Sequence, residues 1–338
     1  MPYRSRFEGR IIDAHCHVDD PARPHVRRLL AGAGVAGLLN LWDGAWPPRS
    51  FEDWHESMRG FEPQMQLCHM PDLSAVGGDG FGRRLADGIR AAAAGGAAGL
   101  KVWKNLGLWL EDVDGRRVTL TDERLRPLWE TAAEADLPIV IHVGDPPDFF
   151  APIDAANRRR VELEEHPEWW FGRPGFPSLE ELLDQFEQVV AAHPQTVFVA
   201  AHFGCFVPPR RVGELFTRYA NFNVDTSVQL LVLCGSPEIA RICREVIVEH
   251  PDRVVFGTDF LRTDFWDLPS ADLYGGERGD LDEFYAGHWR FFETSETVEL
   301  PYPFVMEGDV LRGLDLPDAV LEQVYVANAR RIYRGRWE

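Results

Sequence analysis

Positive charge, and lysine in particular, is scarce in this sequence. Its 338 residues carry 35 Lys plus Arg against 54 Asp plus Glu, which gives a formal net charge of −19. Nucleic acids and anionic membrane surfaces are bound through basic patches, so this balance argues against both as main partners. Long apolar runs are also absent, because no stretch approaches the roughly 18 residues that span a bilayer. We therefore predict neither a nucleic-acid partner nor a membrane partner.

Cysteine is sparse and shows no pairing pattern. The five cysteines are scattered and form no CxxC pair, which is typical of reduced thiols rather than of a disulfide framework. Residues 1–12 contain charges and lack the apolar core of a secretion signal. These features predict a cytoplasmic protein. The acidic chain with its aromatic segments is compatible with a homodimer or a higher homo-oligomer.

The two lysines of the chain are Lys101 and Lys104, and every other basic residue among the 35 is arginine. A coding preference for arginine accounts for the bias itself. The remaining lysines nevertheless lie three residues apart, which suggests a position that needs an amine. Because a compact, titratable amine does chemistry that a guanidinium cannot do, both lysines are candidates for a functional role.

Apolar residues are plentiful, at 45 % of the chain, and they come in short runs that alternate with amphipathic segments. Runs rich in β-branched residues suit strands buried on both faces. The amphipathic segments 121–135, 178–192 and 237–250 suit helices. Eight strands with interleaved helices predict an α/β fold, a single (β/α)8 TIM barrel domain over residues 1–338. The predicted strands are 11–15, 35–41, 65–70, 99–103, 137–142, 196–202, 222–225 and 253–259.

Two connections are longer than an ordinary loop, residues 144–176 after the fifth strand and residues 260–304 after the eighth. Both follow the C-terminal ends of strands, where barrel active sites lie, and both are rich in aromatic residues. Long loops of this kind are commonly lids or specificity elements. Packing on each other or on a partner subunit explains them equally well.

Ligand-type side chains stand at the predicted ends of four strands. His15 and His17 end the first strand, His142 the fifth, His202 the sixth and Asp259 the eighth. Residues i and i+2 of a strand point to the same side, so His15 and His17 can reach one ion together. In a parallel barrel all these strand ends meet at one rim. One such histidine alone would be a satisfied strand-end residue, but together they suit zinc, manganese, iron or cobalt.

This order of residues resembles the amidohydrolase superfamily, in particular the amidohydrolase-2 branch of metal-dependent hydrolases and aminocarboxymuconate-semialdehyde-type decarboxylases. The resemblance covers nearly the whole chain and implies a TIM barrel. The motifs that carry it are Ile12-Asp13-Ala14-His15-Cys16-His17, Gly99-Leu100-Lys101-Val102, Ile141-His142, Ala201-His202-Phe203-Gly204, Asn223-Val224-Asp225-Thr226-Ser227, Phe256-Gly257-Thr258-Asp259 and Asn328-Ala329-Arg330-Arg331.

The resemblance also implies roles for single residues. It implies one divalent metal, Zn²⁺ in the first place with Mn²⁺ as the other option. His202 and Asp259 would be the catalytic residues, with His202 acting in acid–base chemistry or orienting a water. The implied metal ligands are His15, His17, His142 and Asp259.

Lys101 is the ambiguous position. Binuclear members of the superfamily use a carbamylated lysine on the fourth strand to bridge two metals, and Lys101 stands in that region. In the mononuclear branch this position contacts substrate, and a lysine that only caps the strand is a third option. Asp145 could equally cap a turn, and Arg262 could equally be an exposed loop residue. The predicted substrate-binding residues are Lys101, Lys104, Asp145 and Arg262.

Three functions compete for this pattern. The first is a metal-dependent hydrolase that uses an activated water on a C–O or C–N bond of a small organic molecule, such as a lactone, ester or amide. The second is a metal-dependent, non-oxidative decarboxylase or hydratase of an aromatic or unsaturated carboxylic acid. The third is a non-catalytic scaffold, which predicts missing ligands, and none is missing here. We predict a hydrolase, with decarboxylation as the alternative.

Overall fold

The strands form one parallel sheet that curls back to its first strand. The structure is a computed structural model, and it describes residues 3–18, 34–41, 49–60, 64–227, 236–262, 281–298, 311–333 and 337. The strands of this sheet lie in the order β8-β7-β6-β5-β4-β3-β2-β1-β9. Their bounds are β1 Ile11–Val18, β2 Val35–Asn40, β3 Gln64–His69, β4 Gly99–Val102, β5 Ile139–Ile141, β6 Phe198–Ala200, β7 Phe222–Asp225, β8 Val254–Val255 and β9 Phe260–Arg262.

Residues 254–262 close the barrel. β8 pairs in parallel with β7, and β9 pairs in parallel with β1. Between these two short strands, Ala14 N donates to Phe256 O at 2.9 Å and Asp259 N donates to His15 O at 2.8 Å. The segment therefore serves as an interrupted eighth strand between the seventh and the first. This confirms the predicted α/β TIM barrel of eight parallel strands.

Burial explains why these short runs become strands. Every described side chain of β1, β4, β5, β6 and β7 is buried, as expected for strands covered by side chains inside the barrel and by helices outside. The three predicted helices are present. α-Helices occupy Phe51–Ser57, Phe81–Ala94, Arg126–Glu134, Arg160–Glu165, Leu179–Ala192, Pro209–Arg218, Pro237–Glu249, Leu281–Glu293, Asp318–Glu322 and Asn328–Ile332. None of the helices in the described ranges is long and apolar enough to cross a membrane.

The first predicted insertion, residues 144–176, packs within the chain. The ring of Phe171 stacks on Trp109 with 5.8 Å between centroids, and Trp109 meets Trp103 edge to face at 5.4 Å. Phe149, which belongs to this segment, is buried as well. These contacts fasten the insertion to the loop that follows β4. Its function as a lid stays a prediction.

The second predicted insertion, residues 260–304, is in part a helix of the barrel wall. Helix Leu281–Glu293 buries Phe284, Trp289 and Phe292, and the Trp289 ring lies 5.2 Å from that of Phe256. The aromatic pattern here therefore belongs to core packing rather than to a loop. Residues 263–280 and 299–304 lie outside the described residues, so the lid interpretation of this segment stays a prediction as well.

Candidate metal centre

Three predicted ligands meet at the C-terminal rim of the barrel. His15 and His17 project from the same side of β1, and Asp259 follows the break in the eighth strand. Asp259 Oδ1 lies 3.2 Å from His15 Nε2 and 3.2 Å from His17 Nε2. One ligand atom from each residue lies within 4.8 Å of the others. Two imidazoles and a carboxylate at this spacing can hold a single divalent ion.

A close approach of two strands places Asp259. Its backbone has φ 60°, a left-handed conformation that aspartate tolerates better than most residues. Gly257, two residues earlier, passes so close to β1 that an added Cβ would lie 2.7 Å from the Cβ of His15. Asp13 clamps the same junction, since its Oδ2 accepts from Thr258 Oγ1 at 2.6 Å. Burial raises the pKa of Asp13 to about 6 against the effect of these hydrogen bonds.

A second carboxylate, Asp225 at the end of β7, stands behind the first ligand. His15 Nδ1 lies 2.7 Å from Asp225 Oδ2. Burial disfavours both charges, but each group favours the charge of the other, which lowers the pKa of Asp225 to about 2 and raises that of His15 to about 8. Burial likewise opposes the charge of Asp259, yet His15 and His17 hold the pKa of that carboxyl well below its usual range. The centre therefore favours a positive charge, supplied by a proton on His15 or by a metal ion.

His202 lies on a left-handed turn directly after β6. Residues 202–206 all have φ between 54° and 94°, a conformation that costs roughly 1–2 kcal/mol for each residue other than glycine. Such strain persists only where surrounding contacts over-determine it. Here Cys205 Sγ donates to Ile141 O and accepts from Val143 N, both at 3.3 Å. The turn is thereby tied to the end of β5 and directs the His202 ring into the rim.

His142 is placed next to His202 and outside the group of three ligand atoms. His142 Nδ1 lies 3.3 Å from His202 Nε2, and the ring centroids are 4.3 Å apart. Burial, with cationic neighbours, lowers the pKa of His142 well below its usual range and that of His202 to about 3. Both rings are therefore neutral at pH 7. The function of His142 as a metal ligand stays a prediction.

Orphaned nitrogen atoms test whether these residues suit a metal. Buried polar atoms without a hydrogen bond are rare in folded proteins. Among the described residues, His15 Nε2 and His142 Nε2 are buried and make no hydrogen bond. Both are imidazole nitrogens of predicted ligands, and a ligating imidazole needs its lone pair unprotonated and free. The residues present fit a divalent cation.

The predicted substrate residues differ in their surroundings. Lys101 on β4 is 2 % exposed. Burial lowers its pKa, although Asp259 and Asp225 oppose the shift. Lys104 instead pairs with Asp145, with its Nζ at 2.6 and 2.8 Å from the two carboxylate oxygens. The side chain of Arg262 lies outside the described residues, so its role in substrate binding stays a prediction.

From the sequence alone, no role is predicted for Asp225, Ser227 or Asp13. All three lie inside motifs that carry the family resemblance, and all three are buried. Asp225 ends the seventh strand, and the corresponding ends of the fifth and sixth strands place His142 and His202 at the rim. The position of Asp225 at a strand end could therefore have indicated a role at the site.

Comparison with known proteins places the chain. A family model described as an amidohydrolase matches residues 78–335, which is more than half of the chain. The chain belongs to the amidohydrolase family. The matched range contains His142, His202 and Asp259, whereas the strand with His15 and His17 precedes it. No curated protein matches this amidohydrolase.

Solved structures share the fold of this amidohydrolase at low identity. A 2,6-dihydroxybenzoate decarboxylase complexed with 2,6-dihydroxybenzoate is 14 % identical with a TM-score of 0.57, over 96 % of this chain and 99 % of that chain. A dihydroorotase from Campylobacter jejuni is 12 % identical with a TM-score of 0.57, over 98 % and 86 %. An uncharacterized TIM-barrel protein from Bordetella bronchiseptica is 12 % identical with a TM-score of 0.54, over 97 % and 99 %. These likenesses concern the barrel alone.

Proposed function

We propose that this amidohydrolase-family protein is a metal-dependent hydrolase that cleaves a C–O or C–N bond of a small organic substrate, such as a lactone, ester or amide. The supporting observation is the group of His15, His17 and Asp259, whose ligand atoms lie within 4.8 Å of one another. The orphaned Nε2 of His142 adds a fourth donor at the same rim. This donor set suits one divalent ion, Zn²⁺ or Mn²⁺.

The residues around the centre can carry out the proton transfers of hydrolysis. A divalent ion would supply Lewis acidity, which polarises a carbonyl and lowers the pKa of water from about 15.7 to near 7. Asp259 is unprotonated at neutral pH, so it can accept the proton that an attacking water loses, and the neutral His202 ring lies beside His142 at the same rim. The water oxygen bonds to the carbonyl carbon, the C–O or C–N bond breaks, and the accepted proton passes to the leaving oxygen or nitrogen.

The buried position of Lys101 favours an anionic substrate. A buried ammonium without a partner is costly, so the position suits either a neutral amine or an ammonium that meets an anion of the substrate. Asp259 and Asp225 act on Lys101 as nearby negative charges, whereas Lys104 is already neutralised by a direct ion pair with Asp145. We therefore assign Lys101 to a substrate carboxylate or enolate. Carbamylation of Lys101 in a binuclear centre is the competing role.

The same lysine favours a second candidate, a non-oxidative decarboxylase of an aromatic or unsaturated acid. Such a substrate carries the carboxylate that Lys101 would bind. The ring of Trp103, two residues further along, belongs to the aromatic cluster with Trp109 and Phe171, and aromatic faces bind planar rings. The decarboxylase that shares this fold binds a substrate of this class, 2,6-dihydroxybenzoate.

Metal removal and return tests the proposal directly. Dialysis against a chelator should abolish turnover, and Zn²⁺ or Mn²⁺ should restore it. The metal-free protein should also melt at a lower temperature, because a ligand at 100 times its Kd stabilises the native state by about 2.7 kcal/mol. Isothermal titration should give one Zn²⁺ per chain, and intact mass spectrometry should show no carboxylated lysine. Full activity of the metal-free protein would refute the hydrolase and the decarboxylase alike.

The reaction itself is decided by product analysis. Lactones, esters and amides with a carboxylate substituent form one panel, and hydroxybenzoates and unsaturated acids form the other. Release of acid without carbon dioxide from the first panel supports the hydrolase. Carbon dioxide from the second panel, with no turnover of the first, would replace the hydrolase by the decarboxylase.

Lys101→Met should separate substrate binding from chemistry. Methionine keeps much of the length and removes the charge, so the KM of the anionic substrate should rise roughly 10-fold or more, the loss expected for a charged hydrogen bond. Steady-state kinetics check this against an uncharged ester of the same substrate, whose KM should not change. An equal KM change for both compounds would show that Lys101 acts through structure rather than through charge.

A further inference from the structure

Asp225 holds four donors at once. Its Oδ1 accepts from His202 N at 2.9 Å, from Ser227 N at 3.0 Å and from Ser227 Oγ at 2.6 Å. Its Oδ2 faces His15 Nδ1 at 2.7 Å. Asp225, Ser227 and His15 are each no more than 1 % exposed, so water does not substitute for these partners. Backbone N–H groups can only donate, which identifies Asp225 as the acceptor throughout.

The single proton of the Ser227 hydroxyl is therefore committed to Asp225. Ser227 Oγ also lies 2.7 Å from His202 Nδ1. A hydroxyl has one proton and two lone pairs, so Ser227 can only accept in this second contact. The proton between Ser227 and His202 must then be carried by His202 Nδ1. This assignment leaves Nε2 of the neutral His202 ring as a bare lone pair.

The assignment passes on to the next ring. His202 Nε2 lies 3.3 Å from His142 Nδ1. Because His202 Nε2 has no proton to give, the contact is a hydrogen bond only if His142 Nδ1 donates. His142 then has its proton on Nδ1 and a bare Nε2, and this Nε2 is the buried atom that makes no hydrogen bond among the described residues.

We infer that Asp225, acting through Ser227 and His202, sets the tautomer of His142, and that it sets the tautomer of His15 directly. One carboxylate thereby turns the Nε2 atoms of His142 and His15 toward the rim from strands on different sides of the barrel. Ser227 is a positioning residue in this scheme, since it contacts neither substrate nor metal. The inference rests on the proposed metal centre, but the rings of His202 and His142 are neutral, so their tautomers exist in the metal-free protein and can be measured there.

Ser227→Ala removes the contact between Ser227 Oγ and His202 Nδ1, the middle one of this series of hydrogen bonds. Without the hydroxyl, His202 Nδ1 has no acceptor, and the proton should move to His202 Nε2 and, in turn, to His142 Nε2. Nitrogen NMR of metal-free protein labelled at its histidines distinguishes a protonated from a bare ring nitrogen. The wild type should show protonated Nδ1 on both rings, and Ser227→Ala should show protonated Nε2. Unchanged tautomers in the variant, or protonated Nε2 in the wild type, would overturn the inference.

Thr226→Val is the matched control. Thr226 has a buried hydroxyl one residue earlier, which donates to Gly257 O at 3.1 Å and accepts from Gly257 N at 3.0 Å. Its loss should destabilise the fold to a similar degree but leave both histidine tautomers as in the wild type. If Ser227→Ala does not fold, Ser227→Cys takes its place, because a thiol is only a weak donor and acceptor. Loss of the wild-type tautomers in Thr226→Val would count against a specific role of Ser227.

Zinc titration provides the second measurement. Outer residues that orient ligating histidines typically change metal affinity roughly 10- to 100-fold, and we expect Ser227→Ala to weaken Zn²⁺ binding by that factor. An unchanged zinc affinity together with altered tautomers would remove His142 from the metal centre and overturn this part of the inference. A wild type that binds no zinc would instead refute the proposed function. The measured tautomers would still decide whether Asp225, through Ser227 and His202, sets the tautomer of His142.

Discussion

Asp259→Asn is expected to abolish activity, with a fall of roughly 10³-fold or more. The carboxylate lies 3.2 Å from both His15 Nε2 and His17 Nε2, and it carries the negative charge of the proposed ligand group. A neutral amide is a poor ligand for a divalent ion and cannot accept a proton. A bound metal contributes several kcal/mol to transition-state stabilisation, and each 1.36 kcal/mol is about a factor of ten in rate.

The variant is measured by turnover at saturating Zn²⁺ and by zinc titration. Asp136→Asn serves as its control, because Asp136 has the same left-handed backbone, with φ 63°, before β5 and away from the rim. Asparagine tolerates this conformation, so neither substitution strains the chain. Zinc affinity and turnover of Asp136→Asn should equal those of the wild type. Wild-type turnover in Asp259→Asn would remove this residue from both the metal centre and the chemistry.

Asp225→Asn should weaken zinc binding by roughly 100-fold, the upper end of the range for residues that orient a ligand. An asparagine offers one acceptor and one amide group that donates. Its oxygen must face the three donors His202 N, Ser227 N and Ser227 Oγ, so its NH₂ faces His15 Nδ1. His15 then has to place its proton on Nε2, which blocks the atom that points to Asp259.

Zinc titration of Asp225→Asn should be compared with that of Asp112→Asn. Asp112 is a buried carboxylate outside the rim that accepts from Asp114 N, Arg116 N and Arg124 Nη1, each at 2.9 Å. Its substitution should lower thermal stability without a change in zinc affinity. Because Asp225→Asn acts on His15 whereas Ser227→Ala acts on His142, the double variant should bind zinc more weakly than either single variant. Equal zinc affinities of Asp225→Asn and the wild type would contradict the orienting role.

The barrel could be predicted because each strand is recognisable from a short apolar run in the sequence. Runs such as 139–141 and 198–200 are wholly buried, and a continuous apolar run needs no partner to be recognised. The observed strands are shorter than predicted at several ends, since residues such as His142 leave the sheet to enter the rim. The sequence predicts that the segment of helix Leu281–Glu293 is part of an insertion, because aromatic residues are also common in lids. Only the packing of this helix against the barrel shows that its aromatic residues belong to the core.

By itself the sequence determined the strand count, the acidic balance and the identity of the donors that end the strands, since composition and spacing along the chain are local properties. Which donors share one point was decided by tertiary structure. The closure of residues 254–262 onto β1 brings Asp259 to His15 and His17. His142 instead lies beside His202, outside this group of three. The hydrogen bonds that link Asp225 and Ser227 to the histidines could likewise not be predicted from the sequence, because hydrogen-bond direction depends on distances between side chains from four different strands.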